Sequence, residues 1–95
     1  MDFLVKIFKA LANSHRIELL HILRDGEKEI SDIARKLRLP YKTVARDLKI
    51  LERTNLILSR RWKGVVYYSL RNEDHFEYNK VLFNLIEKRY ERSKK

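Results

Sequence analysis

The stretch from Glu29 to Asn55, EISDIARKLRLPYKTVARDLKILERTN, limits what this chain can fold into more than any other. Ile30, Ile33, Ala34 and Leu37 fall at i, i+3, i+4 and i+7 and predict one apolar face of a short helix. Ser31 and Asp32 lie near its start, where side-chain oxygens can accept orphan N–H groups. Arg38-Leu39-Pro40 is the corner. Proline disfavours helical geometry in the residue before it, so Leu39 should leave the first helix and Pro40 should stand at the start of the next. Val44, Leu48 and Leu51, with Ala45 beside them, predict the buried stripe of that second helix. Tyr41, Lys42, Thr43, Arg46 and Lys49 are left on its other side.

Two helices across a tight corner, the second with a polar and basic outer face, form a helix-turn-helix pattern, whose second helix suits a DNA major groove. The competing reading is two ordinary packed helices of a small helical protein. The segment after Asn55 favours the first. Its period changes from 3.6 toward 2, with candidate strands over Leu56–Trp62 and Val65–Leu70 around a Lys63-Gly64 turn. A hairpin in that place reads as a wing, with Arg60, Arg61 and Lys63 near its tip. Charge is gathered on the same segments. Between Arg35 and Lys63 stand ten Lys/Arg and two acids, which is +8 of the chain's net +9. Positive charge gathered on one module is the footprint of a polyanion binder.

The remaining segments predict helices. Asp2 can cap a first helix to about Ala12, whose apolar residues Phe3, Leu4, Ile7, Phe8 and Leu11 make a stripe too wide for one small core. Asn13 or Ser14 can cap a second, about His15–Arg24, that buries Ile17, Leu20 and Leu23, with Leu19 at the margin of the stripe. Asp25-Gly26 ends it, the glycine in the left-handed cap position. Asn72 or Asp74 can cap a last helix, about His75–Arg92. Phe76, Tyr78, Val81, Leu82, Phe83, Leu85, Ile86 and Tyr90 cover more than half of its circumference. The alternatives are a helix lying deep across its own domain and a shared interface. The preferred reading packs the first and last helices against their copies in a two-fold dimer.

The expected architecture is therefore mainly α with a small β-hairpin, a winged helix-turn-helix in the order α-α-α-α-β-β-α, forming one domain over residues 1–95. With 44% apolar and 37% charged residues the chain has globular composition. Its lack of cysteine excludes disulfides and thiolate zinc sites. The amino terminus lacks the pattern of a signal peptide, and no run approaches the ~18 apolar residues of a membrane span. A cytoplasmic location is expected.

Over nearly its whole length the chain resembles the ArsR-type winged-helix transcriptional regulators. LANSHRIELLHIL (Leu11–Leu23) is similar to that family's opening motif, including the arginine, here Arg16. EISDIARKLRLPYKTVARDLKILERTNLI (Glu29–Ile57) resembles its helix-turn-helix, and SRRWKGVVYYSL (Ser59–Leu70) its basic hairpin. The departures bear on function. The family's metal sensors often place a cysteine pair where this chain has Glu29-Ile30-Ser31-Asp32. A second family metal site uses Asp and His on the last helix with a further His; Asp74 and His75 are present but no histidine comes after them. Ala45 and Asp47 stand where many members have serine and histidine in the recognition helix, so their operator sequence does not transfer.

The candidate DNA-binding residues are Arg38, Tyr41, Lys42, Thr43, Arg46, Lys49, Arg60, Arg61 and Lys63. Arg46 is the preferred base reader, because a guanidinium can pair with guanine through two bonds; its rival role is phosphate neutralisation or pairing with a nearby acid. Arg38, Lys42 and Lys49 suit phosphates, as does Thr43 through its hydroxyl. Arg60 and Arg61 cannot both face one way along a strand. Trp62 is expected to pack in the core or wing rather than wedge near DNA. His15, His21 and His75 are too dispersed for a metal site, so no metal or cofactor is expected. No P-loop, nucleophile elbow or paired-carboxylate cleft is present, and an enzyme is not expected. The expected function is a homodimeric, sequence-specific double-stranded DNA-binding regulator, a repressor by occlusion. The alternative is a winged-helix protein-interaction module; RNA or single-strand binding fits less, since most aromatics lie on apolar helix faces.

Overall fold

A computed structural model describes residues 2–71 and 77–93. The elements are α1 (Phe3–Leu11), α2 (Ser14–Leu23), β1 (Lys28–Glu29), α3 (Ile30–Leu37), α4 (Tyr41–Arg53), β2 (Ile57–Trp62), β3 (Val65–Leu70) and α5 (Glu77–Ser93). This is the expected winged helix-turn-helix with one addition. β1 pairs antiparallel with β3, Lys28 opposite Tyr68 and Glu29 opposite Tyr67, so the hairpin becomes a three-stranded sheet of order β1-β3-β2. A two-residue Lys-Glu strand has neither alternation nor β-propensity to announce it. It forms because β3 offers its free edge.

The helix starts are set by local chemistry. Asp2 Oδ1 accepts the Leu4 N–H at 2.8 Å, and Asn13 Oδ1 accepts those of His15 (2.9 Å) and Arg16 (3.2 Å). Gly26 takes a positive φ of 125°, open to glycine but beyond the left-handed helical basin expected for it. α3 departs from expectation, because neither Ser31 nor Asp32 caps it. The Ser31 hydroxyl instead donates to Glu29 Oε1 at 2.7 Å, and Asp32 pairs with Arg35 at 3.2 Å. The corner closes by a double bond pattern, with the Leu39 N–H on the Ala34 carbonyl (3.2 Å) and the Arg38 N–H on that of Arg35 (3.3 Å). Arg38 takes the left-handed conformation this needs, φ 55° and ψ 45°. Pro40 stands in the N-cap position of α4, and its carbonyl accepts the Thr43 and Val44 N–H groups.

The core joins Leu19, Leu20 and Leu23 of α2, Ile33 of α3, Val44, Leu48 and Leu51 of α4, then Leu56, Ile57 and Ile86. Leu19 is fully buried while Ile17 is only half-buried, which reverses the expected order of the two. Asn79 ties α5 down: it is buried, and its amide donates to the carbonyls of Asn55 and Arg71, both at 2.8 Å. His21 is also engaged in packing. Its ring stacks on Tyr90 at 3.6 Å between centroids, and Nδ1 lies 2.9 Å from Glu87 Oε2.

The outer faces of α1 and α5 remain open. Phe8 is 58% exposed, Val81 67% and Leu85 64%, and Phe3, Leu4, Val5 and Tyr78 are exposed as well. Phe8 and Leu82 line both of two neighbouring hollows between these helices, which makes the apolar surface continuous. The proposed cap residues Asn72 and Asp74, with His75 and Phe76, lie outside the described residues.

Candidate nucleic-acid interface

Lys42, Arg46 and Lys49 are exposed on α4 at i, i+4 and i+7, which sets their side chains on one face. Among the described residues none of the three has an ion-pair partner. Tyr41 is 60% exposed at the start of the same helix, and Thr43 is half-buried beside it. No side chain caps the first turn of α4, so its leading N–H groups and the positive end of its dipole face outward with Tyr41 and Lys42.

The wing stands against that end of α4. A recess of about 430 Å³ is lined by Tyr41 of α4, by Glu29, Ile30 and Ser31 around the start of α3, and by Gly64, Val65, Val66 and Tyr68 of the wing. β2 and β3 pair in register from Ile57 opposite Leu70 to Trp62 opposite Val65. Ser59 and Arg61 therefore share one face of β2, and Arg60 and Trp62 the other. The first face looks to α4: the Ser59 hydroxyl donates to Glu52 Oε2 at 2.6 Å. Burial raises the Tyr68 phenol above its ordinary pKa; Glu52 and Tyr41 push the same way, and Arg61 pulls against them. Arg61 is thus on the side of the recognition helix.

Arg60 is not placed alike. Its guanidinium grips the Glu27 carboxylate, Nε to Oε2 at 2.8 Å and Nη2 to Oε1, and lies 5.1 Å from the Tyr67 ring centroid. That bond holds the Glu27 carboxyl below its ordinary pKa, with burial opposing it. The two wing arginines divide as strand alternation requires, and only Arg61 is without an ion-pair partner among the described residues.

Asp47 shares α4 with Lys42, Arg46 and Lys49 but not their outer face. It is 4% exposed and turned inward, with Oδ1 accepting from Arg16 Nη1 at 3.1 Å. Arg16 also donates to the carbonyls of Ala10 (2.6 Å) and Lys9 (3.4 Å), so it clasps the end of α1 to the middle of α4. Trp62 is not packed in the core: it is 53% exposed at the wing tip, with Lys63 Nζ 4.5 Å from its ring centroid.

The backbone gives an independent indication of these positions. Among the described residues, three other than glycine have positive φ: Arg38 (55°), Asn55 (61°) and Lys63 (49°). Asparagine tolerates that region, but arginine and lysine pay about 1 kcal/mol or more there relative to glycine. Both basic residues stand at exposed tips, the corner before α4 and the wing turn. Replacing Arg38 with glycine should therefore leave urea-unfolding stability equal or raise it by up to about 1 kcal/mol. A loss above that size would show that the arginine side chain is needed for folding.

Among the described residues, no group of three or more His, Cys, Asp or Glu is placed to hold a metal ion, and no helix is long and apolar enough to cross a membrane.

The sequence profile of the bacterial regulatory protein, arsR family, matches residues 5–59. The HTH-type transcriptional regulator Rv0324 of Mycobacterium tuberculosis is 31% identical over 74 residues, which are 78% of this chain and 33% of that protein. KmtR of the same organism, also an HTH-type transcriptional regulator, is 30% identical over 69 residues, 73% of this chain and 53% of its own length. The chain thus spans between a third and about half of the length of these two relatives. Among solved structures, the homodimeric winged helix-turn-helix DNA-binding domain Mb0332 of Mycobacterium bovis, described as a possible ArsR-family regulator, superposes with a TM-score of 0.80 at 28% identity. That superposition covers 95% of this chain and 80% of the other. The matched segment contains α2, α3 and the whole of α4, with the clasp that joins α1 to α4, and on these grounds the chain belongs to the ArsR family of bacterial regulatory proteins, with a winged helix-turn-helix fold.

Proposed function

We propose that the protein is a homodimeric, sequence-specific duplex-DNA-binding repressor, one domain over its 95 residues, that acts by occluding a promoter. One observation above all supports this: Lys42, Arg46 and Lys49 are exposed on one face of α4, and the Ser59–Arg61 face of the wing packs beside the same helix, so a groove and its flanking backbone can be engaged together. In this reading Arg46 reads a base edge from the major groove. Tyr41, Lys42, Thr43 and Lys49 line the same contact, Arg38 holds a phosphate at the corner, and Arg61 and Lys63 meet the flanking backbone or minor groove. Arg60 joins them only if Glu27 releases it. The dimer forms through the open apolar faces of α1 and α5, which sets two recognition helices about one helical turn apart.

The test is selection from a random duplex pool at two salt concentrations, then sedimentation of the complex. An inverted repeat bound by two chains is the expected result. Absence of duplex binding at both salts would reject the reading and favour a protein-interaction module. A promoter–reporter fusion tests the sign, and expression that rises with the protein would reject repression.

Arg46→Ala should cost about 1–3 kcal/mol on the selected site and relax one base position. Equal losses on selected and random duplex would instead assign Arg46 to phosphate. Arg61→Ala should weaken all duplexes and reduce the salt slope by about 0.9, whereas Arg60→Ala should do less because its charge is already paired. Equal effects of the two would show that Glu27 lets go on binding.

A further inference from the structure

A basic recess lies at the opposite end of α4 from the wing tip. It measures about 440 Å³ and opens between α1 and the C-terminal end of α4. Its walls hold Lys6 and Lys9 from α1, Arg16 from α2, and Arg53 and Thr54 from α4 and its cap, and no acidic side chain lines it. Among the described residues Lys6, Lys9 and Arg53 have no ion-pair partner. Only Arg16 is committed, to Asp47 and to the carbonyls that end α1.

The ordinary explanation of Lys9 and Arg53 is that they offset helix dipoles, since each occupies the last turn of its helix. Magnitudes show that this is not enough. Two helix ends supply about half a negative charge each, and Asp47 supplies one more, against four cations, which leaves about two positive charges in the recess. Arg53 also continues a line. With Lys42, Arg46 and Lys49 it falls at i, i+4, i+7 and i+11, one basic stripe along about 16 Å of helix. The recess stands where that stripe ends.

We propose that this recess is a phosphate-binding site, held by Lys6, Lys9 and Arg53, and filled by a backbone phosphate of bound duplex or by a free phosphate-bearing anion. The backbone source rests on the proposed DNA binding; the free-anion source does not. In the first case the duplex-facing surface extends past the helix-turn-helix onto α1. In the second, the anion sits beside Arg16, the residue that joins α1 to the recognition helix through Asp47.

The double variant Lys6→Gln/Lys9→Gln removes two exposed charges and leaves the clasp intact, and circular dichroism checks its fold. The full chain is titrated with inorganic phosphate against chloride at matched ionic strength, and amide shifts are recorded by NMR. Phosphate-specific shifts at Lys6, Lys9, Arg53 and Thr54 that vanish in the variant establish the site. In parallel, duplex affinity is measured over a range of salt. A salt slope lower by about 0.9 per lost contact, with about fivefold weaker binding, identifies backbone phosphate as the occupant. Phosphate-specific shifts with an unchanged slope identify a free anion. If the wild type binds duplex and the variant matches it in slope and affinity, with no phosphate-specific shifts, the site is overturned and the DNA-binding reading stands. If the wild type binds no duplex, that reading falls and the phosphate titration alone decides the site.

Discussion

Arg16→Ala is expected to destabilise the fold by about 3 kcal/mol or more. Two effects combine. The Asp47 carboxylate, 4% exposed, would lose its cation and remain where water reaches it poorly. The carbonyls of Lys9 and Ala10 at the end of α1 would lose their donors. Urea unfolding monitored by circular dichroism measures this, with an unchanged slope showing that the same surface is exposed on unfolding. A cost below about 1 kcal/mol would mean that Asp47 finds water readily and that the clasp is dispensable. The paired replacement Arg16→Met with Asp47→Leu should recover much of the loss, because it removes the buried charge along with its partner. Recovery of stability without recovery of duplex binding would show that the clasp sets the orientation of α4 as well as holding it.

Leu85→Asp is expected to have the larger consequence for function while leaving the single chain folded. Leu85 is 64% exposed, so a carboxylate there meets water in an isolated protomer. In a dimer built on α1 and α5 the same carboxylate would be carried against an apolar partner surface, a cost that Lys88 and Arg89 beside it on α5 offset only in part. Sedimentation should find monomer at concentrations where the wild type is dimeric. Affinity for a two-half-site duplex should fall by about 100-fold or more, since the second recognition helix no longer binds as part of the same complex. Binding to a single half-site should be unchanged. A variant that stays dimeric would place the interface elsewhere and leave the open faces of α1 and α5 unexplained.

The helix-turn-helix was legible from local signals at its corner and along its two faces, although the caps expected at the start of α3 are absent. Pro40 fixes the start of α4, and the apolar spacing fixes which sides of both helices are buried. The wing was legible because Lys63-Gly64 supplies two positive φ angles in succession between β-rich runs. What escaped depended on the third dimension. β1 exists only through its partner strand. Asp47 reads as surface in a basic helix, and its burial depends on Arg16, 31 residues earlier in the chain. The pairing of Arg60 with Glu27 spans 33 residues, and neither residue marks the other. Lys6 and Lys9 lie in the nearly neutral remainder of the sequence, so the charge count that singled out residues 35–63 passed over them. Arg53 was counted among those charges, but nothing in its spacing alone showed that α1 would stand opposite.

Trp62 is the chain's single tryptophan, and its half-exposed position at the wing tip makes the protein's indole fluorescence a local signal. Emission and quenching will report the state of the hairpin turn and the nearby Lys63 ammonium, while the helical core stays nearly dark. A spectral change on adding duplex would therefore time the arrival of the wing separately from that of α4. In denaturant the same signal, compared with far-ultraviolet circular dichroism, would reveal whether the hairpin opens before the helices or together with them.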